Sequence, residues 1–201
     1  MSNLNDKFDF QRNENLDKKF LDDYWSRYQK ILFNSRDDSS LLVLRNAISG
    51  IHQSKGKLIF VGNGASASLA SHAATDFTKQ ANIPSIAFND HNLITALSND
   101  YGYDNWVKKA LEFYAKSSDM VIFISVSGES LNLLNGLDYA LENSICTASL
   151  TGASSLNSLK SKSKYALWVN SKAYNIVESI HTIWITLIID LFVGSPEYSV
   201  N

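Results

Sequence analysis

The sequence predicts an α/β protein: a parallel sheet covered by helices on both faces, with two helices ahead of the first strand. Five short apolar runs read as strands, at about 57–61, 84–88, 120–125, 144–150 and 165–169. Between them, apolar residues recur at helical spacing. The turns that follow the first, third and fourth runs are rich in Gly, Ser and Thr, and in a parallel sheet such turns lie where ligands bind, at the carboxyl ends of the strands.

From about Leu16 to His52 the apolar residues Phe20, Tyr24, Tyr28, Ile31 and Leu32, then Leu41, Leu44, Ile48 and Ile51, mark two helices. Asp37-Asp38-Ser39-Ser40 separates them and offers a cap for the second. These two apolar stripes can serve a partner subunit as well as the chain's own core. Lys57–Val61 is the first strand and ends in Gly62-Asn63-Gly64-Ala65-Ser66; a helix of small residues then runs to about Gln80. Pro84–Phe88 is the second strand, and 104–116 reads as a helix. Met120–Ser125 is the third strand, followed by Val126-Ser127-Gly128-Glu129-Ser130 and a helix to about 142. Two more strands and a long helix from Tyr174 to Phe192 complete the pattern. Residues 1–15 read as a frayed start, 16–194 as one domain and 195–201 as a tail.

With 201 residues, 45% hydrophobic, and a net charge of −2, the chain is sized for one core and carries no charge excess that would draw it to nucleic acid or an acidic membrane. The longest apolar stretch, Ile183–Val193, contains Thr186 and Asp190 and is short for a membrane span. The single cysteine, Cys146, excludes an internal disulfide and reads as an inert buried thiol. A polar, acidic start without the order of a signal peptide leads to the expectation of a cytoplasmic protein.

The run Ser125-x-Ser127-Gly128-x-Ser130 places three hydroxyls around one glycine at a strand end, ahead of a helix N-terminus. That arrangement suits a phosphate, because backbone N–H groups and the helix dipole favour negative charge. Gly62-Asn63-Gly64-Ala65-Ser66-Ala67 also fits a relaxed dinucleotide fingerprint, with Asp90 placed where a ribose-binding acid could sit. A dinucleotide fold needs no second phosphate-type loop, so the two loops together fit a small phosphorylated molecule better. Turn formation is the alternative use of both glycines, and helix capping that of Ser127 or Ser130. His72 and Asp76 share a helix face at i, i+4, and Glu178 and His181 share another at i, i+3. Each histidine can equally be a core residue bonded to a neighbour. Tyr101, Tyr103 and Trp106 read as core, as does Trp184.

The order Gly62-Asn63-Gly64-x-Ser66, His72-x-x-x-Asp76, Asn99-Asp100, Ser125-x-Ser127-Gly128-x-Ser130 and Glu178-x-x-His181 resembles the sugar isomerase (SIS) domain, and within it the phosphoheptose isomerase branch. The resemblance implies a three-layer α/β/α fold with a five-stranded parallel sheet, and a homotetramer with active sites between subunits. It implies that Ser125, Ser127 and Ser130 hold a sugar phosphate. Asn63, Gly64, Ala65 and Ser66 would line the substrate, with Asn99, Asp100 and Glu178 nearby. His72, Asp76, Glu178 and His181 would supply a possible zinc site, and Asp76 and His181 the acid–base chemistry. The implied reaction converts sedoheptulose 7-phosphate to an aldose heptose 7-phosphate through an enediol, for surface-polysaccharide precursors. Four positions depart from the family pattern: Asp76 stands for Glu, Thr186 for a second catalytic His, Val126 for Thr and Asn175 for Asp. Three of the departures fall on or beside the chemistry; Val126 lies within the serine loop but keeps its backbone N–H, and the three serines remain. The rival expectation is therefore a non-catalytic phosphosugar-binding regulator on the same fold, such as the branch's replication-initiator-binding member.

Overall fold

The computed structural model describes residues 14–198. Of the stretch 1–15 read as frayed, residues 1–13 lie outside the described residues, while Glu14 and Asn15 belong to the first helix. Helices α1 (Glu14–Asn34) and α2 (Asp38–Gln53) precede strand β1 (Leu58–Gly62). There follow α3 (Ala65–Lys79), β2 (Ser85–Ala87), α4 (His91–Tyr101), α5 (Trp106–Tyr114), β3 (Met120–Ser125) and α6 (Leu131–Glu142). The chain ends with β4 (Cys146–Thr151), α7 (Ser158–Lys162), β5 (Tyr165–Trp168) and α8 (Tyr174–Val193).

All five strands are parallel, in the order β2-β1-β3-β4-β5. The connection runs outward from β1 to β2, then returns to β3 on the other side of β1. The order therefore reverses between β1 and β3, which is where an open α/β sheet forms its ligand crevice. Residues of β1 and β3 are buried on both faces and alternate between two cores. Leu58, Phe60, Met120, Ile122 and Ile124 meet α2, α3 and α8, while Ile59, Val61, Val121 and Phe123 meet α5 and α6 with Leu97 and Leu159. A sheet clad on both faces is the three-layer sandwich expected from the sequence.

Local chemistry sets the element ends. Asp37 caps α2 by accepting from Ser40 N at 3.0 Å, as its sequence position predicts. Gly194 ends α8 in the left-handed conformation, φ +87°, with Pro196 just beyond. Helix α8 spans 20 residues and is apolar enough to cross a bilayer, longer than the stretch the sequence suggested. Ile176, Val177, Ile180, Trp184, Ile185, Ile188 and Ile189 are nevertheless buried against the sheet, so it serves as a core helix. By contrast, α1 has no buried side chain, and Phe20, Leu21, Trp25 and Phe33 are exposed along it.

Helix α4 is absent from the sequence reading. Its cap is Asp90, whose side chain accepts from Leu93 N at 3.0 Å. Asp90 is thus spent on a helix start and is no ribose ligand, which removes the support for a dinucleotide. Leu93, Ile94 and Leu97 stand at i, i+1, i+4 and pack on the second core. That short phase was the available signal. Cys146 is half-buried, and burial raises its thiol above the ordinary value, consistent with an inert role.

Candidate functional site

The loops after β1 and β3 flank the crevice. Gly64, φ +58°, caps α3 and turns the chain from strand to helix. Across the crevice, Gly128 has φ +69° in the serine loop, and α6 begins after Ser130. Two helix N-termini therefore open on one space.

In the serine loop, Gly128 N donates to Ser125 Oγ at 3.1 Å and Glu129 N donates to Ser127 Oγ at 3.2 Å. Each oxygen accepts from the backbone and the two hydroxyls lie 3.5 Å apart, so at least one O–H is left as a donor toward a ligand. Ser130 holds the N-cap position of α6, yet its side chain makes no capping bond. Its hydroxyl is free for a ligand, and the capping use considered for it is not the one adopted. Asn63 and the buried Asn132 exchange two amide bonds, of 3.0 and 2.9 Å. Tyr103 donates to Asn63 Oδ1 at 3.2 Å. This pair ties the β1 loop to the first turn of α6. Sequence reasoning passed over Asn132, although a polar residue in phase with the buried Leu133 and Leu137 was a signal. Tyr103, read as core, is 55% exposed and belongs to this network.

Two cavities adjoin at this point. One, of about 100 Å³, is lined by Asn63, Ser66, Ser125, Ser127, Ser130 and Glu178, together with Ile124, Val126 and Tyr174. The other, of about 410 Å³, lies between α3 and α8, with Ala65, Ser66, His72, Glu178, His181 and Asn175 among its walls. Ser66 and Glu178 belong to both. The structure thus brings together most of the residues selected from the sequence. Gly64 shapes the turn without lining either space. Asn99 and Asp100 bond each other at 2.9 Å on the last turn of α4 and line neither cavity.

The titratable groups differ in their access to the cavity. His72 Nε2 lies 2.9 Å from Asp76 Oδ2. His72 lines the larger cavity, whereas Asp76 does not. A carboxylate bonded to one ring nitrogen fixes the tautomer and leaves the other nitrogen as a base. The carboxylate of Glu178 has no hydrogen-bond or ionic partner among the described residues. His181 is fully buried, with Nε2 3.2 Å from the Thr151 carbonyl and Nδ1 unpartnered. Burial lowers its pKa to about 4, opposed by the bond to Thr151. It is therefore a neutral imidazole, donating Nε2–H to that carbonyl, in the wall behind the cavity.

This burial has a measurable consequence. Above pH 6.5 the imidazole is neutral in both folded and unfolded chains. Between pH 6.5 and about 4 the unfolded chain binds a proton that the folded one does not, so stability falls with acidification. The loss is about 2 kcal/mol at pH 5, approaching about 3 kcal/mol near pH 4. Urea unfolding at pH 7.5 and pH 5 should show this slope for the wild-type chain and lose it for His181→Gln, which keeps a donor toward Thr151.

Among the described residues, no three His, Cys, Asp or Glu side chains gather where they could hold one metal ion. Of the four candidates His72, Asp76, Glu178 and His181, His72 and Asp76 bond each other and His181 Nε2 faces a carbonyl, so three are already partnered within the chain. Thr186, standing where the resemblance implies a second histidine, donates to the Thr182 and Ile183 carbonyls at 3.0 and 3.1 Å.

The fold defines a doubly wound parallel α/β protein with a hydroxyl-lined crevice at its switch point. No family model matches the chain. A phosphoheptose isomerase of Chlorobium phaeobacteroides is 35% identical over 127 residues, which are 59% of this chain and 56% of that protein. One from Helicobacter pylori is 33% identical over 144 residues, covering 69% of this chain and 74% of that one. The solved structure of a phosphoheptose isomerase from Francisella tularensis superposes with a TM-score of 0.81 at 22% identity, covering 92% of this chain and 100% of that one, and so shares the fold. The chain belongs to the phosphoheptose isomerase family. It matches just over half the length of the Chlorobium relative.

Proposed function

We propose that the protein is a sugar-phosphate isomerase that interconverts sedoheptulose 7-phosphate and an aldose heptose 7-phosphate. The observation that carries this reading is that the two cavities adjoin and share Ser66 and Glu178 as lining residues. The smaller cavity offers three hydroxyls and the start of α6 to a phosphate. The larger offers a histidine backed by a carboxylate, and a free carboxylate opposite, to the carbonyl end of the sugar. In the reaction a base removes the proton from C1 of the ketose and the C2 oxygen is protonated, giving an enediol. Protonation at C2 and loss of the O1 proton then give the aldose. His72, held by Asp76, and Glu178 are the groups assigned to these transfers. His181 supports the wall.

The same reading includes a cytoplasmic homo-oligomer working on a soluble metabolite. The exposed apolar face of α1 and the exposed Ile183, Leu187 and Leu191 of α8 support assembly. A non-catalytic phosphosugar-binding regulator is the second reading, favoured by Thr186 being turned to its own helix carbonyls.

The test is incubation of purified protein with sedoheptulose 7-phosphate, with and without added zinc, following aldose phosphate. Turnover in both conditions is expected. Absence of turnover in both, with the sugar phosphate still raising the melting temperature, would sink the enzyme reading in favour of the regulator.

A further inference from the structure

The serine loop carries an acidic residue, Glu129, between Gly128 and Ser130. A carboxylate beside an anion site opposes binding unless it is employed elsewhere. Here it is turned away from the cavity that Ser127 and Ser130 line, and Glu129 Oε1 accepts from Ser158 N at 2.8 Å. One residue on, Leu159 N donates to Gly128 O at 3.1 Å. Two consecutive backbone N–H groups at the start of α7 therefore hold two consecutive residues of the loop from behind.

The segment that presents these N–H groups is itself fixed. Asn157 is fully buried. Its Nδ2 donates to Thr151 Oγ1, Gly152 O and Ser154 O at 3.1, 3.2 and 2.7 Å, and its Oδ1 accepts from Lys160 N at 2.9 Å. Both the strand-end loop after β4 and the first turn of α7 are thus organised around one side chain. The same side chain packs against Gly128, where any added methyl would overlap it.

We propose that Glu129 is a positioning residue: its carboxylate, gripped by Ser158 N, holds the serine loop in the geometry that presents Ser125, Ser127 and Ser130 to a phosphate. This rests on the reading of the serine loop as the phosphate site. What the position needs is an acceptor oxygen, and the negative charge is incidental. The two attributes can be separated, since Gln keeps the oxygen and Ala keeps neither.

The experiment compares wild type, Glu129→Gln and Glu129→Ala. Three readouts are taken: inorganic phosphate affinity by calorimetry, kcat and KM for sedoheptulose 7-phosphate, and hydrogen exchange of the peptides covering 126–130 and 157–160. Loss of one hydrogen bond to the backbone corresponds to roughly a three- to tenfold effect. Glu129→Ala is expected to raise the phosphate Kd and the KM by that factor, with kcat changed less and faster exchange in both peptides. Glu129→Gln should restore the affinity to about the wild-type value, a rescue that a charge effect would not give. Equal tightening in both variants would show that the carboxylate only repels the ligand and would overturn the proposal. Unchanged affinity and exchange in Glu129→Ala would overturn it too. Failure of the wild-type protein to bind phosphate would instead overturn the phosphate-site reading on which it rests. Exchange would still report the tether in that case, and slow exchange in Glu129→Ala would reject it.

Discussion

Replacing Asp76 by Asn is expected to lower kcat for sedoheptulose 7-phosphate by about 10²- to 10⁴-fold, the usual contribution of a positioned proton-transfer group. The reasoning starts from the 2.9 Å bond to His72 Nε2. With a carboxylate there, the imidazole carries its proton on Nε2 and leaves Nδ1 as a base. An amide offers both a donor and an acceptor, so it no longer selects that tautomer, and it no longer stabilises the imidazolium that forms when a proton is taken up. Asp76 lines neither cavity, so KM should change by less than about threefold. Initial rates across a substrate series separate the two parameters. A matched fall in kcat for His72→Gln, and no further fall in the double variant, would show that the pair acts as one unit.

The second large effect concerns Gly128→Ala, expected to weaken phosphosugar binding on the order of 100-fold. Two contributions combine. The left-handed backbone, φ +69°, disfavours any side chain by about 1–2 kcal/mol. The new methyl would also overlap Asn157 Oδ1 and Cγ, in a side chain that is fully buried and fully bonded, adding roughly 1–3 kcal/mol. Every tenfold in affinity corresponds to about 1.4 kcal/mol, so the sum reaches that scale when the loop shifts to relieve the overlap. Gly64→Ala is the informative comparison. It has a similar φ of +58° but open space around the added methyl, so only the backbone penalty applies. Titration with the sugar phosphate, alongside thermal melts of both variants, distinguishes a displaced loop from a destabilised fold.

Much of the fold was legible because its signals are local. Buried strands such as 120–125 announce themselves as unbroken apolar runs, and Asp37 is a cap readable from its neighbours. Helix α4 escaped because its apolar face is short and Asp90 has two plausible uses, one local and one chemical. The serine loop was legible as an anion site, since the spacing of Ser125, Ser127 and Ser130 around Gly128 is contiguous in the chain. What stayed hidden were contacts between distant segments. Nothing in the spacing of His72 and Asp76 shows which of them faces the cavity; that depends on how α3 rolls against α8. Asn132 with Asn63, and Glu129 with Ser158, join residues 69 and 29 positions apart. Likewise, the i, i+3 pair Glu178 and His181 share a helix face, yet one is free at the cavity and the other is sunk against Thr151.

One property of the two cavities reaches beyond the resting site. Neither is lined by a lysine or an arginine among the described residues. With no fixed side-chain cation in its walls, the crevice leaves recognition of a phosphate to hydroxyls, backbone N–H groups and fit. Anions that merely carry charge gain nothing from approaching it. Capture there rests on hydroxyl and backbone donors, whose directed bonds salt weakens less than it weakens exposed ion pairs.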